Sequence, residues 1–250
     1  MIIRRLVIAV RRQDWFTVLI EFALVVAGVL VALQVNNWNE DRSDRQAYEH
    51  SLDRLRGEIV ANFDMLDLAS ADIAGELPLV QAAYDALETC NDDAEMRQAI
   101  NAGLMLLNGA NTIRLRTSEL FELTSSPVLL AQQKEETRRK LSDLRFLVEL
   151  TLDSADTFAE YPRQTRPERI AALRPGKRTP QETTYLGLSI SQERRSLELH
   201  APVSAACEDA DLIAALWAWD RYQGNLSFLI NRIRQEYQSM LAFLEEEKPQ

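Results

Sequence analysis

The sequence predicts an all-α protein: an N-terminal transmembrane helix followed by an extracytoplasmic up-down helical bundle of long helices. Three observations predict it. Phe16 to Val35 is an apolar run holding one ionisable group, Glu21. Glycine and proline number eight each in 250 residues. Five of the prolines (Pro162, Pro167, Pro175, Pro180, Pro202) share one stretch, so long segments elsewhere carry few helix breakers. Past the run, apolar residues step by three and four, the spacing of one helix face.

The run comes first. At 1.5 Å per residue it covers about 30 Å, the thickness of a hydrocarbon core. Trp15 and Trp38 flank it at headgroup level, where an indole is favoured, and Asn36 and Asn37 mark a polar exit. It reads as an uncleaved anchor, not a signal peptide. It exceeds a usual signal h-region, Glu21 interrupts it, and Leu30-Val31-Ala32 is a poor cleavage site. Residues 15–38 are therefore the span.

Residues 1–14 are a cytoplasmic basic segment. Arg4, Arg5, Arg11 and Arg12 precede the span, and the positive-inside bias keeps them in the cytoplasm and exports residues 39–250. Ile3, Leu6, Val7 and Val10 share one helical face, a pattern that lies along anionic lipid or serves only as a topology signal. In a bacterial cell the destination is the periplasm.

Glu21 sits about one and a half turns inside the span, where a carboxylate is costly. It either snorkels toward the headgroups or meets another transmembrane helix. Ala23, Ala27, Gly28 and Ala32 add small surfaces that permit close approach, so another membrane protein or a second copy is an expected partner.

Glu21 to Glu40, ending Ala32-Leu33-Gln34-Val35-Asn36-Asn37-Trp38-Asn39-Glu40, resembles the signature of a family of uncharacterised single-pass bacterial membrane proteins. That signature is Glu, an apolar run with a central Gly, then Ala-Leu-Gln-x-Asn-Asn-Trp-Asn-Glu. Thr117 to Ser126 stands where family members carry Tyr-x-x-Leu-x-Ser before another helix; here Leu120-Phe121-Glu122-Leu123 takes its place. The resemblance implies a helical protein of the bacterial inner membrane and no assigned activity.

The remaining elements follow the stripes. Leu52, Leu55, Ile59, Phe63 and Leu66 continue the first helix to about residue 88, with a kink or brief break near Gly75-Glu76 ahead of Pro78. Asn91-Asp92-Asp93 offers N-caps for a helix at about 93–107. A second short helix covers about 113–125. Ser126-Pro127 starts a long helix to about 160. Residues 162–202 form an irregular basic excursion. Leu212, Leu216, Trp219, Leu226, Ile230 and Ile233 carry the last helix, about 208–247. Spacing near 3.5 suits coiled-coil-like packing at about 20°.

Cys90 closes the first long helix and Cys207 opens the last. They form a disulfide if those helices run antiparallel in an oxidising compartment, or are two unrelated buried thiols. The chain carries −10, yet residues 163–202 hold eight basic side chains against four acidic ones. Arg163, Arg166, Arg169, Arg174, Lys177 and Arg178 are the candidate anion-binding segment; the plainer reading is a solvated loop beside an acidic bundle. An acidic, exported chain excludes nucleic acid as a partner.

No catalytic pattern stands out. His50 and His200 are isolated, and no zinc, phosphate-loop, nucleophile-elbow or dinucleotide spacing occurs. The expectation is no cofactor, no metal and no enzyme. Two functions remain: a membrane-anchored interaction or scaffold module, or an extracytoplasmic sensor that needs a separate signalling partner.

Overall fold

The computed structural model describes residues 15–109, 111–185 and 188–246, with side chains described except at 15–18, 21, 108 and 181–190. Arg4, Arg5, Arg11 and Arg12, and the side chains of Trp15 and Glu21, therefore lie outside the described residues.

The protein is mostly helical. Helix α1 runs from Trp15 to Thr89, 75 residues without interruption. It passes through Gly75, Glu76 and Pro78, so the expected local break is corrected. Pro78 removes the bond to the carbonyl of Ala74, and both residues face solvent, where water satisfies that carbonyl. The helix stops at Cys90, whose φ of 53° is left-handed. That conformation ends many helices and favours glycine.

Asp93 caps α2 (Ala94–Leu104) by accepting from the Met96 amide at 2.9 Å. A 3-10 turn, Met105–Asn108, continues it. Gly103 lets α2 lie against α1: a Cβ there would stand 2.6 Å from that of Ala83. The chain then returns extended to α3 (Ser118–Ser125), which starts later than the expected 113. Pro127 occupies the first turn of α4 (Pro127–Gln132). The expected single helix 127–160 is broken after Gln132. Gln133 is extended and buried, and its Nε2 donates to the Leu123 carbonyl at 2.7 Å. Helix α5 is Glu135–Gln164.

The excursion is where the all-α expectation fails. After a 3-10 turn at Pro167–Arg169, strands β1 (Leu173–Tyr185) and β2 (Leu188–Leu199) form a two-stranded antiparallel ribbon. It runs in register from Leu173↔Leu199 to Tyr185↔Leu188, with a bulge between Pro175 and Arg178. Leu173, Leu197 and Leu199 bury its base. The short α6 (Val203–Ala206) leads to α7 (Ala210–Glu246).

Side-chain pairs set the helix directions. From Arg56 with the Leu244 carbonyl, through Asn62 with Tyr237 and Asp67 with Arg234, to Tyr84 with the Ile213 carbonyl, α1 numbers rise while α7 numbers fall. The two helices are antiparallel. Lys140 over the Phe243 ring and Arg221 over the Tyr161 ring make α5 antiparallel to α7.

Two apolar clusters fill the interior. One joins Leu55, Ile59 and Leu66 of α1 to Leu141 and Val148 of α5 and to Tyr222, Ile233 and Tyr237 of α7. The other, farther along α1, joins Val80 and Ala83 to Leu104, Leu197, Leu199, Leu216 and Trp219. Cys90 and Cys207 close that end as a disulfide, with Cα atoms 5.7 Å apart. That distance lies within the span a bridge requires.

Candidate functional site

The exposed part of α1 is the first candidate. From Leu19 to Val35 every side chain that is described is exposed, Phe22 by 69% and Leu24 by 67%. No other described helix is long and apolar enough to cross a membrane. Left in water, this apolar surface would cost about 25 cal/mol per Å2 relative to burial. The asparagine-tryptophan segment follows at once: Asn36 Nδ2 donates to Glu40 Oε1 at 2.9 Å, and Trp38 is exposed. Residues 39–50 stay largely exposed; Ser51 and Leu52 are the first buried side chains.

At 100° per residue, the helix sorts the proposed contact residues into two faces. Positions 21, 28 and 32 fall within about 40° of one another. Ala23 and Ala27 fall on a different face, more than 90° away. Only the first set combines the acidic residue with Gly28 and Ala32 on one line.

The basic segment is also divided. Arg163 ends α5 and pairs with Glu160 at 3.3 Å. Arg166, with φ 46°, and Arg169 bracket the 3-10 turn. Arg174, Lys177 and Arg178 lie on β1, where Arg178 stands opposite Arg195 and Thr179 opposite Arg194. The six residues therefore lie on three successive elements. The ribbon instead unites Arg178 with two arginines far along the sequence.

A buried polar joint escaped sequence reading. Glu58, only 7% exposed, accepts from Ser118 Oγ at 3.2 Å, the Glu119 amide at 3.0 Å and the Leu120 amide at 3.2 Å. A carboxylate on α1 thus caps the start of α3, where Thr117 makes no side-chain cap. One turn on, Asn62 takes both backbone groups of Arg116: Oδ1 accepts its amide at 2.7 Å and Nδ2 donates to its carbonyl at 2.9 Å. Nδ2 also meets Tyr237 Oη at 3.0 Å. Burial raises the Tyr237 phenol above its usual range, so it stays protonated at neutral pH. Arg54 adds Glu119 at 2.7 Å. The signal available was two polar residues, four apart, inside an apolar stripe.

Glu76 is a half-buried acid on α1. Burial raises its pKa, the Asn111 amide at 2.7 Å lowers it, and Asp72 raises it again. The net shift is upward, so the folded state holds this proton more tightly than the unfolded chain. Stability from this group is therefore present at low pH and falls as pH rises from about 4.3 through the folded value. Glu76→Gln is expected to melt higher than the natural chain near neutral pH and to lose that advantage in acid. Thermal melts across pH test this; an advantage that persists in acid contradicts it.

Grooves open to solvent lie along α5 and α7. One of about 400 Å3 is lined by Lys140, Phe146, Arg232 and Phe243, among others. One of about 260 Å3 is lined by Tyr161, Trp217 and Arg221, among others. Among the described residues no group of three His, Cys, Asp or Glu is placed to hold a metal ion. Comparison with protein-family models, curated proteins and solved structures found no match.

Proposed function

We propose that this chain is a membrane-tethered interaction or scaffold module of the bacterial inner membrane. Its N-terminal segment lies in the cytoplasm, and its helices form an up-down bundle in the periplasm. One observation carries the reading. The exposed apolar stretch and the spine of the packed core belong to the same unbroken helix. The anchor therefore holds the packed helices rigidly above the bilayer. The Cys90–Cys207 bridge supports an oxidising compartment, as the arginines ahead of the span do. The filled interior favours an interaction surface over a sensor pocket: Trp219, Tyr222 and Tyr237 are fully buried between the helices.

Lateral contact within the bilayer runs through the face of Glu21, Gly28 and Ala32. Glu21→Ala is expected to reduce recovery of the lateral complex from membranes while the packed helices melt unchanged. Equal recovery from crosslinked membranes sinks the lateral contact. A tag on the C-terminus tests the topology; its modification by a reagent confined to the cytoplasm contradicts the orientation.

A further inference from the structure

We propose that the outer seam between α5 and α7 is the docking surface for a second copy of this chain. Phe146, Leu150, Tyr161, Ile213, Trp217 and Phe228 stand exposed along it, Phe228 by 68% and Phe146 by 66%. On α7 positions 213, 217, 221 and 228 follow helical spacing and make one line. Arg221 stacks between Tyr161 and Trp217, 5.2 Å from each ring. Exposed Trp, Tyr and Arg together are the residue types that dominate binding energy at interfaces. With about 150–250 Å2 for each aromatic ring, these side chains leave on the order of 600 Å2 open per copy. A stable interface takes about 800 Å2 per partner, so the patch is near the size a dimer needs.

The arrangement fits a second copy. Both copies hang from one bilayer by the same helix, so equal levels meet, and confinement raises their effective concentration. This step rests on the tethered reading above. A twofold axis along the helices sets α5 of one copy against α7 of the other. The contacts of Lys140 with Phe243 and Tyr161 with Arg221 fix the levels: Leu150 is level with Arg232, and Asp153 is close to Phe228. At equal levels Leu150 of one copy lies opposite the Arg232 turn of the other, and Tyr161 lies opposite Arg221. Asp153 lies opposite the Phe228 turn, with Arg232 less than a turn beyond. Arg232 already pairs with Glu236 of its own helix at 2.7 Å. The Glu21 face of α1 lies outside this seam.

Two tagged full-length chains, one with Asp153→Cys and one with Phe228→Cys, are expressed together and oxidised in membranes. A crosslink between the two tags is expected. A pair of Leu68→Cys chains, on the exposed side of α1, is expected to give none. Phe228→Asp is expected to lower the dimer fraction in detergent about tenfold or more without changing the melting temperature. The inference is overturned if the seam pair fails to crosslink in membranes that retain the protein. It is equally overturned if Leu68→Cys crosslinks as well, if Phe228→Asp dimerises normally, or if the seam cysteines capture another protein. Recovery of the chain in the soluble fraction instead defeats the tether.

Discussion

Removing the Cys90–Cys207 bridge is expected to cost the packed helices about 5 kcal/mol as an upper limit. The bridge joins residues 117 apart in sequence. Closing a loop of that length removes about this much free energy from the unfolded chain on the chain-entropy account. Everything from α2 to α6 lies inside the loop, including the ribbon, so its loss frees the whole distal end at once. The double variant Cys90→Ser with Cys207→Ser is expected to unfold at a clearly lower denaturant midpoint. A second variant separates the bridge from the backbone. Cys90 holds φ 53°, a conformation natural to glycine. Cys90→Gly with Cys207→Ser therefore also loses the bridge, yet should recover about 1 kcal/mol relative to the serine pair. Equal midpoints for the natural chain under oxidising and reducing conditions would falsify the role given to the bridge.

Glu58→Ala is the second large effect. Its carboxylate accepts three bonds from the start of α3 while nearly buried. Truncation leaves the amides of Glu119 and Leu120 without a partner where little water enters. Orphaned buried donors cost about 1–3 kcal/mol each, and the combined expectation is about 3 kcal/mol. Glu58→Gln keeps an acceptor and should lose about half as much. Urea unfolding of both variants measures this. A loss under about 1 kcal/mol for the alanine would mean that α3 is held by apolar packing and the Asn62 and Arg54 bonds, not by Glu58. Hydrogen exchange should show the loss concentrated at residues 116–123, because Asn62 anchors the same stretch.

The long helices were legible because burial writes itself as periodicity. Leu212, Leu216, Trp219, Leu226, Ile230 and Ile233 are all buried on α7 at the expected spacing. The apolar stretch of α1 was legible for the opposite reason. Its described side chains from Leu19 to Val35 are all exposed, and the stretch is long and apolar enough to cross a membrane. The ribbon was not legible because its prolines read as punctuation. Pro175 sits beside the bulge and Pro180 within β1. A two-stranded ribbon leaves each strand an outer edge that tolerates a missing amide. The alternation Leu197-Glu198-Leu199 was the strand signal, but three residues are too few to outweigh five prolines. Pro78 misled in the other direction, since an exposed helix surface absorbs one lost bond.

The candidate surfaces were legible only in part. Gly28 and Ala32 stand out by composition, and the helical period alone sorts them from Ala23 and Ala27. Glu58 and Asn62 read as ordinary breaks in an apolar stripe, because their partners, most of them backbone groups, lie more than fifty residues away. No side-chain pattern in sequence announces a backbone partner. The seam of α5 and α7 is likewise invisible until the inward faces are known, since Phe228 and Leu226 are equally apolar by composition. One is 68% exposed and the other fully buried.

On the tethered reading proposed above, α1 has no joint between its exposed apolar stretch and its far end and would act as a lever. Trp38 to Thr89 spans about 77 Å of helix at 1.5 Å per residue. Thinner and thicker bilayers change the angle at which a spanning helix sits. A 10° tilt at the lipid would swing the ribbon sideways by about 13 Å on that arm. On that reading, events within the bilayer would be delivered as large displacements at Arg178, Arg194 and Arg195 of the ribbon.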